Sequence, residues 1–145
     1  MDNDVKLADV TAKNWRAVVR LKLDPSQEDL VASNLYSLAE SKFDPSARPR
    51  AIYAGSRIVG FLMYDVVDGE AMIYRFMIDQ RHQAKGYGRV ALAKALDEIK
   101  AIPQVRKVSI GYVPENPVAK AFYGSFGFVE VGLDDEGEMI AELIL

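Results

Sequence analysis

Cysteine is absent from this sequence, so disulfides, thiolate nucleophiles, zinc fingers and iron–sulfur clusters have nothing to build on. Histidine occurs once, as His82, which leaves a His-rich metal site or a Ser-His-Asp triad without material. No apolar run approaches the roughly 20 residues that a membrane-spanning helix needs. The start of the chain, Met1-Asp2-Asn3-Asp4, is acidic where a secretory signal is basic and then apolar. These absences predict a cytoplasmic protein with no metal and no membrane partner. Internal repeats, low-complexity stretches and linkers are also missing. What remains is a chain of 145 residues, 50% hydrophobic and 27% charged, which predicts one domain over residues 1–145 with a sizeable core.

Net charge is −3, from 18 basic and 21 acidic side chains, which argues against a general nucleic-acid surface. The distribution is uneven. Residues 79–94 carry Arg81, Lys85, Arg89 and Lys94 against Asp79, a local +3. Residues 24–44 carry Asp24, Glu28, Asp29, Glu40 and Asp44 against Lys42, a local −4. Residues 134–142 add Asp134, Asp135, Glu136, Glu138 and Glu142 with no base. A basic island in an acidic molecule suits a protein that meets one anion and one cation; ordinary fluctuation of surface charge gives the same pattern.

Apolar periodicity gives the order β-α-α-β-β-β-α-β-α-β-β, a mixed α/β sheet with helices packed on it. A short strand covers Val5 to Ala8, and a helix starting at Thr11 carries Trp15, Val18, Val19 and Leu21 on one face. A second helix, with Ser26 and Asp29 as a capping box, carries Leu30, Val31, Leu35, Leu38 and Phe43. A hairpin follows, Ala51 to Tyr53 and Ile58 to Val67, then a buried strand from Ala71 to Ile78. Gly88 to Ile102 is an amphipathic helix and Val105 to Tyr112 a strand. Asn116-Pro117 is a strong helix start, and Gly127 ends that helix. Strands from Phe128 to Gly132 and from Met139 to Leu145 flank an acidic turn.

The stretch that carries chemistry is Gln83-Ala84-Lys85-Gly86-Tyr87-Gly88, between a buried strand and a helix. Two glycines two apart let the backbone turn tightly and aim several N–H groups into one concavity. The helix N-terminus adds partial positive charge, and Arg81, Lys85 and Arg89 add formal charge, together a phosphate cradle. A glycine-rich β-to-α turn with solvated basic residues has the same composition. Gly86-Tyr87-Gly88-Arg89-Val90-Ala91 formally matches the dinucleotide pattern G-x-G-x-x-A, but seven residues separate Ile78 from Gly86, and the next strand ends Ile110-Gly111-Tyr112 without an acidic residue. The ATP-type loop fails as well, because no Lys-Ser or Lys-Thr follows the glycines.

This loop resembles the acyl-CoA pyrophosphate loop of the GNAT superfamily of N-acetyltransferases, Q/R-x-x-G-x-G/A. Twenty-eight residues past Gly88, the segment from Asn116 to Phe128 resembles the second block of that family, N-x-x-A-x-x-F/L-Y-x-x-x-G-F. The element order is similar from end to end. Within the family, Ile73 to Asp79, Leu30 to Glu40 and Tyr112 to Asn116 resemble the bacterial spermine/spermidine type. Ala84 stands where glycine is common and is tolerated if it keeps a negative φ.

The resemblance implies a GNAT fold, a mixed sheet of six or seven strands with about four helices, and acetyl-CoA as donor. The N–H groups of Gln83, Ala84, Lys85, Gly86, Tyr87 and Gly88 would hold the pyrophosphate, with Arg89 adding charge. Met77 and Ile78 would pair with the pantetheine arm and meet the thioester oxyanion. Asn116 would cap its helix and reach the site edge. Tyr123 would be the general acid, since a phenol of pKa ~10 holds a proton that a departing thiolate of pKa ~8.5 can take; Phe122 is its packing partner. The acceptor would be a small primary amine, spermine, spermidine or a related diamine, attacking directly in a ternary complex. Glu28, Tyr36, Glu40 and Glu70 are the acceptor-side candidates by position and charge, and His82 is expected on the surface beside the cofactor. A peptide N-terminus, a lysine or an aminoglycoside would serve as alternative acceptors, and a non-catalytic acyl-CoA-binding module is the rival from another class. Sheet-edge homodimers are expected from the resemblance.

Overall fold

The computed structural model describes residues 4–23, 25 and 33–145. Seven strands form one sheet, in the order β1-β2-β3-β4-β5-β7-β6. They are β1 (Val5–Asp9), β2 (Ala47–Ala54), β3 (Arg57–Val67), β4 (Glu70–Ile78), β5 (Lys107–Tyr112), β6 (Val129–Leu133) and β7 (Met139–Ile144). Among the described residues the helices are α1 (Trp15–Arg20), α2 (Asn34–Lys42), α3 (Tyr87–Lys100) and α4 (Pro117–Gly124). All neighbouring strands are antiparallel except β4 and β5, which are parallel. The crossover between those two is α3.

The core has two layers because the central strands bury both faces. On β3, Phe61 and Met63 point to one side with Val18, Leu21 and Met77, while Leu62 and Tyr64 point to the other with Ala91, Leu92, Ala95 and Ile99 of α3. The buried hydroxyl of Tyr64 donates to Glu98 of α3 at 2.5 Å, and Glu98 in turn takes Arg50 at 2.8 Å. That chain fixes α3 against β2 and β3.

The predicted order of elements holds among the described residues, while several boundaries move. Strand β2 begins at Ala47 and includes Pro49. Strand β1 pairs only as far as Arg50, so the missing N–H of Pro49 falls where β2 has a neighbour on one side only. Helix α1 starts at Trp15, because the Asn14 side chain bonds backward to Thr11 N and Asp9 O and makes residues 11–14 a turn. Ser26, Glu28, Asp29, Leu30 and Val31 lie outside the described residues. The α2 segment that is described is capped by Ser33, whose Oγ accepts from Tyr36 N at 3.0 Å. Its predicted apolar face is packed only in part: Leu38 lies against the core, but Phe43 is 84% exposed and Leu35 is exposed, whereas Asn34 and Ser37 are buried. Hydrogen bonds decide this orientation, Asn34 Nδ2 to Val18 O at 2.9 Å and Arg75 Nε to Ser37 Oγ at 3.0 Å.

Candidate active site

Strands β4 and β5 pair only along Glu70–Ile73 and Lys107–Ile110. Beyond that, β4 continues to Ile78 and β5 to Tyr112 without each other. The opposite edge of β4 supplies the reason. Met63 of β3 faces Arg75 and Tyr64 faces Ile73, so Tyr74 is an extra residue and forms a bulge. A bulge bends its strand, and this one sits where pairing with β5 stops. The two strand ends diverge around a cleft of about 550 Å³, closed by the loop before α3 and by α4.

One wall of the cleft is backbone. Gly86, with φ +85°, is the N-cap of α3; it contributes no capping side chain, and the first turn of the helix carries no acidic residue. The first N–H groups of α3 therefore lack intrahelical partners and give this end of the helix a partial positive charge. Gln83, Ala84, Gly86, Tyr87, Gly88 and Arg89 all line the cleft, whereas Lys85 is exposed and lies outside its wall. Ala84 does not keep a negative φ: it sits at +62° in the left-handed region, the turn geometry that makes glycine common there.

The loop is tied down at its start. Gln83 Nε2 donates to Ile78 O at 2.9 Å. The Asp79 carboxylate, almost fully buried, accepts from Lys22 N, Arg81 N and Arg81 Nε at 2.9 to 3.0 Å. Burial alone would raise the Asp79 pKa, but the Arg81 guanidinium and the two backbone N–H groups hold it below the ordinary carboxylate value. Gln80 N also donates to Lys22 O at 2.7 Å, joining the segment after α1 to the loop. His82, expected on the surface, is only 8% exposed and lines the cleft beside Tyr87, at 6.4 Å between rings. Burial lowers its pKa; Asp79 opposes that shift, and Lys85, Arg81 and Arg57 reinforce it.

The other wall is aromatic. Asn116 caps α4, its Oδ1 accepting from Ala119 N at 3.1 Å, and it lines the cleft as well. Phe122 and Tyr123 both line the cleft too. The Tyr123 ring stacks on Tyr112 of β5 at 5.7 Å and 13°, with Phe122 and Phe128 edge-on at 5.2 and 6.0 Å. Burial, and then the neighbouring Tyr112, push the Tyr123 pKa far up, so this hydroxyl keeps its proton at any physiological pH. The Tyr112 hydroxyl donates to Glu130 at 2.7 Å, and burial together with that bond raises its pKa to about 12. Arg89 lies over Phe122 and Phe126 at 5.3 and 5.0 Å and donates to Ser125 Oγ, fastening the start of α3 to α4.

Met77 and Ile78 occupy the unpaired end of β4 on the cleft wall. The acceptor-side candidates are not gathered there. Glu28 lies outside the described residues. Tyr36 is 60% exposed on α2, and Glu40 is paired with Arg75 at 3.2 Å. Glu70 stands at the opposite end of β4 from the cleft, paired with Lys107 at 2.8 Å. None of the described residues on the cleft wall carries a carboxylate. No group of three or more His, Asp or Glu side chains among the described residues is placed to hold a metal. His82, expected beside the cofactor but on the surface, is part of the wall, and Leu23, Phe76, Gly111, Tyr112, Val113, Val118 and Ala119 complete it without having been predicted for it. Tyr112 was the most legible of them, as the last residue of the strand that precedes the Asn116 block.

An extended acyl-CoA fits this arrangement: a free strand edge for the pantetheine amides, and uncapped helix N–H groups for the pyrophosphate. The model of the acetyltransferase (GNAT) family matches residues 15–128, more than half of the chain. The chain belongs to the GNAT acetyltransferases. This acetyltransferase is 28% identical over 150 residues to the spermine/spermidine N(1)-acetyltransferase of Bacillus subtilis (strain 168), an alignment covering 96% of this chain and 99% of that protein. Among solved structures, spermidine N-acetyltransferase from Vibrio cholerae in complex with CoA and spermine superposes with a TM-score of 0.79 at 20% identity, covering 98% of this chain and 96% of that one. The ribosomal-protein-S18-alanine N-acetyltransferase from Escherichia coli gives 0.76 at 19% identity, with 97% and 93% covered. At those identities the two structures show that the acetyltransferase shares their fold.

Proposed function

We propose that residues 1–145 form one catalytic domain that moves an acetyl group from acetyl-CoA to a primary amine of spermine or spermidine, by direct attack in a ternary complex. The observation that carries this is the divergence of β4 and β5, with an uncapped helix N-terminus at one side of the cleft and the Tyr123 phenol at the other. The full-length likeness to the Bacillus subtilis enzyme supports the choice of acceptor. When bound, acetyl-CoA supplies the activated acyl group. A backbone N–H at the end of β4 faces the thioester oxygen as charge builds on it, and Tyr123 gives the thiolate its proton. Consumption of acetyl-CoA suits the cytoplasm. Strand β6 ends the sheet with Val129, Val131 and Leu133 exposed, and a second copy of the chain covering this edge gives a homodimer.

Acetylation of a peptide N-terminus is the second reading, favoured by the absence of a carboxylate from the described cleft wall. Continuous detection of free CoA thiol with spermine, spermidine, putrescine, lysine, a peptide N-terminus and an aminoglycoside separates the two. Release that rises steeply with spermine or spermidine supports the polyamine reading. Release with the peptide alone replaces it, and no release with any amine, despite CoA binding, leaves a binding module.

A further inference from the structure

The acidic turn between β6 and β7 takes no part in the site as described above, yet Glu138 at its end rests its side chain against the strand position of Gly111, a residue of the cleft wall. Successive residues on β5 point to opposite faces of the sheet. Tyr112 faces α4 and stacks on Tyr123, so Gly111 presents the other face. Gly111 lines the cleft, and a methyl group placed on it would lie 3.1 Å from Oε1 of Glu138. The missing side chain at Gly111 is thus what lets the Glu138 carboxylate rest over the strand end.

That carboxylate is held in place without being neutralised. Asp134 Oδ1 accepts from Glu136 N and Glu138 N, both at 2.9 Å, and Asp134 N donates to Glu138 O at 2.8 Å, which closes the turn and fixes the Glu138 backbone. Asp134 is spent on that task. The Glu138 carboxylate is half-buried and has no hydrogen-bond or ion-pair partner among the described residues. The other carboxylates of this region are engaged: Glu130 by Tyr112 and Lys120, Glu142 by Lys107. Lys120 is paired with Glu130, and Lys107, at the other end of β5, is paired with Glu70 and Glu142. Tyr112 and Tyr123, both with raised pKa values, lie on the far face of β5, and Asp135 and Glu136 complete the turn.

From this geometry we propose that Glu138 receives the ammonium group of the acceptor and takes its proton, opposite Tyr123 across the end of β5. The inference rests on the transferase reading above. A primary alkylamine has a pKa of ~10.4, so near neutrality it arrives as the ammonium ion and must lose a proton before it can attack. The ammonium gives that proton to the Glu138 carboxylate, and the neutral nitrogen forms the new C–N bond to the thioester carbon. As the C–S bond breaks, sulfur takes the Tyr123 proton, and the Tyr123 oxygen recovers the remaining proton from nitrogen. Glu138 then releases its proton to water. Protonated amine and acetyl-CoA go to acetylated amine, free CoA thiol and one proton, which balances.

The test compares Glu138→Gln, Glu138→Asp and Asp135→Asn with the parent enzyme on spermine, from pH 6.5 to 10. Glu138→Gln is expected to lose about 10²-fold in kcat/KM at pH 7.5, with KM for acetyl-CoA and Tm unchanged. The loss shrinks as pH rises, because the variant depends on amine that is already neutral. Glu138→Asp keeps the carboxylate and restores part of the activity; Asp135→Asn stays within twofold of the parent. A Gln profile that superimposes on the parent overturns the assignment, and so does an equal loss in Asp135→Asn, which would make the effect a diffuse charge of the turn. Absence of turnover with any amine in the parent enzyme overturns the transferase reading itself.

Discussion

The two walls of the cleft are made of different material. From Gln83 to Gly88 the wall is main chain, held in unusual backbone angles at Ala84 and Gly86 and finished by the free N–H groups of α3. Across from it the wall is side chain, the rings of Tyr112, Phe122 and Tyr123. A backbone wall tolerates changes of side chain and fails when its φ angles are denied. An aromatic wall tolerates small backbone shifts and fails when one particular group is removed. Binding of the donor and the chemistry performed on it should therefore separate under mutation.

The largest expected effect is on the aromatic side. Tyr123→Phe lowers kcat by about 10²-fold while leaving KM for acetyl-CoA within about twofold. Its Tm stays level or rises, since a buried hydroxyl is lost. Steady-state kinetics would break the comparison if KM for acetyl-CoA rose and kcat did not move. Next comes the backbone beneath the loop. A Cβ at Gly60 would fall 2.5 Å from Met77 O and 2.8 Å from Ile78 Cδ1, so Gly60→Ala displaces the end of β4. It costs about 1–3 kcal/mol in denaturant unfolding and raises KM for acetyl-CoA, and an unchanged midpoint would show that β4 yields there without strain.

Ala84→Gly runs in the opposite direction. It relieves the +62° φ and stabilises the protein by about 0.5–1 kcal/mol, offset in part by the greater freedom of glycine in the unfolded chain. A lower Tm for this variant would mean that the methyl group packs favourably. The smallest effect is on acid sensitivity. The His82 pKa is lowered on folding, so its contribution is present above the unfolded value of ~6.5 and is lost as pH falls below it. Asp79, also lowered, loses its contribution only below the ordinary carboxylate value of 3.8. His82→Phe should flatten Tm against pH as pH falls below about 6.5; an unaltered slope would clear His82 of that role.

Legibility in the sequence followed the same division. The backbone wall was legible only in context, because glycine spacing alone fits any β-to-α turn and the block from Asn116 supplied the second signal; Asn116-Pro117 announces a helix start by local capping alone. Tyr123 was legible through the block that contains it. The packed face of α2 was not, because Asn34 and Ser37 are buried by hydrogen bonds to Val18 and Arg75, residues 16 and 38 positions away. His82 looked like surface, and its burial comes from tertiary packing beside Tyr87 and a buried Asp79. Glu70 looked available only because charge along a chain does not reveal which end of a strand faces a cleft.

By itself the sequence determined the order of seven strands and four helices and the glycine-rich turn before α3, because periodicity, capping and glycine placement are local signals; Tyr123 was singled out only by the resemblance of its block to that of the family. Only the tertiary structure decided where β4 leaves β5, that Ala84 takes a left-handed φ, and which carboxylates stand free and which are paired. Each of those depends on contacts between residues far apart in the chain. The bulge at Tyr74 exists through its register against β3, and the Glu138 carboxylate rests against β5 because Gly111 has no Cβ to hold it off.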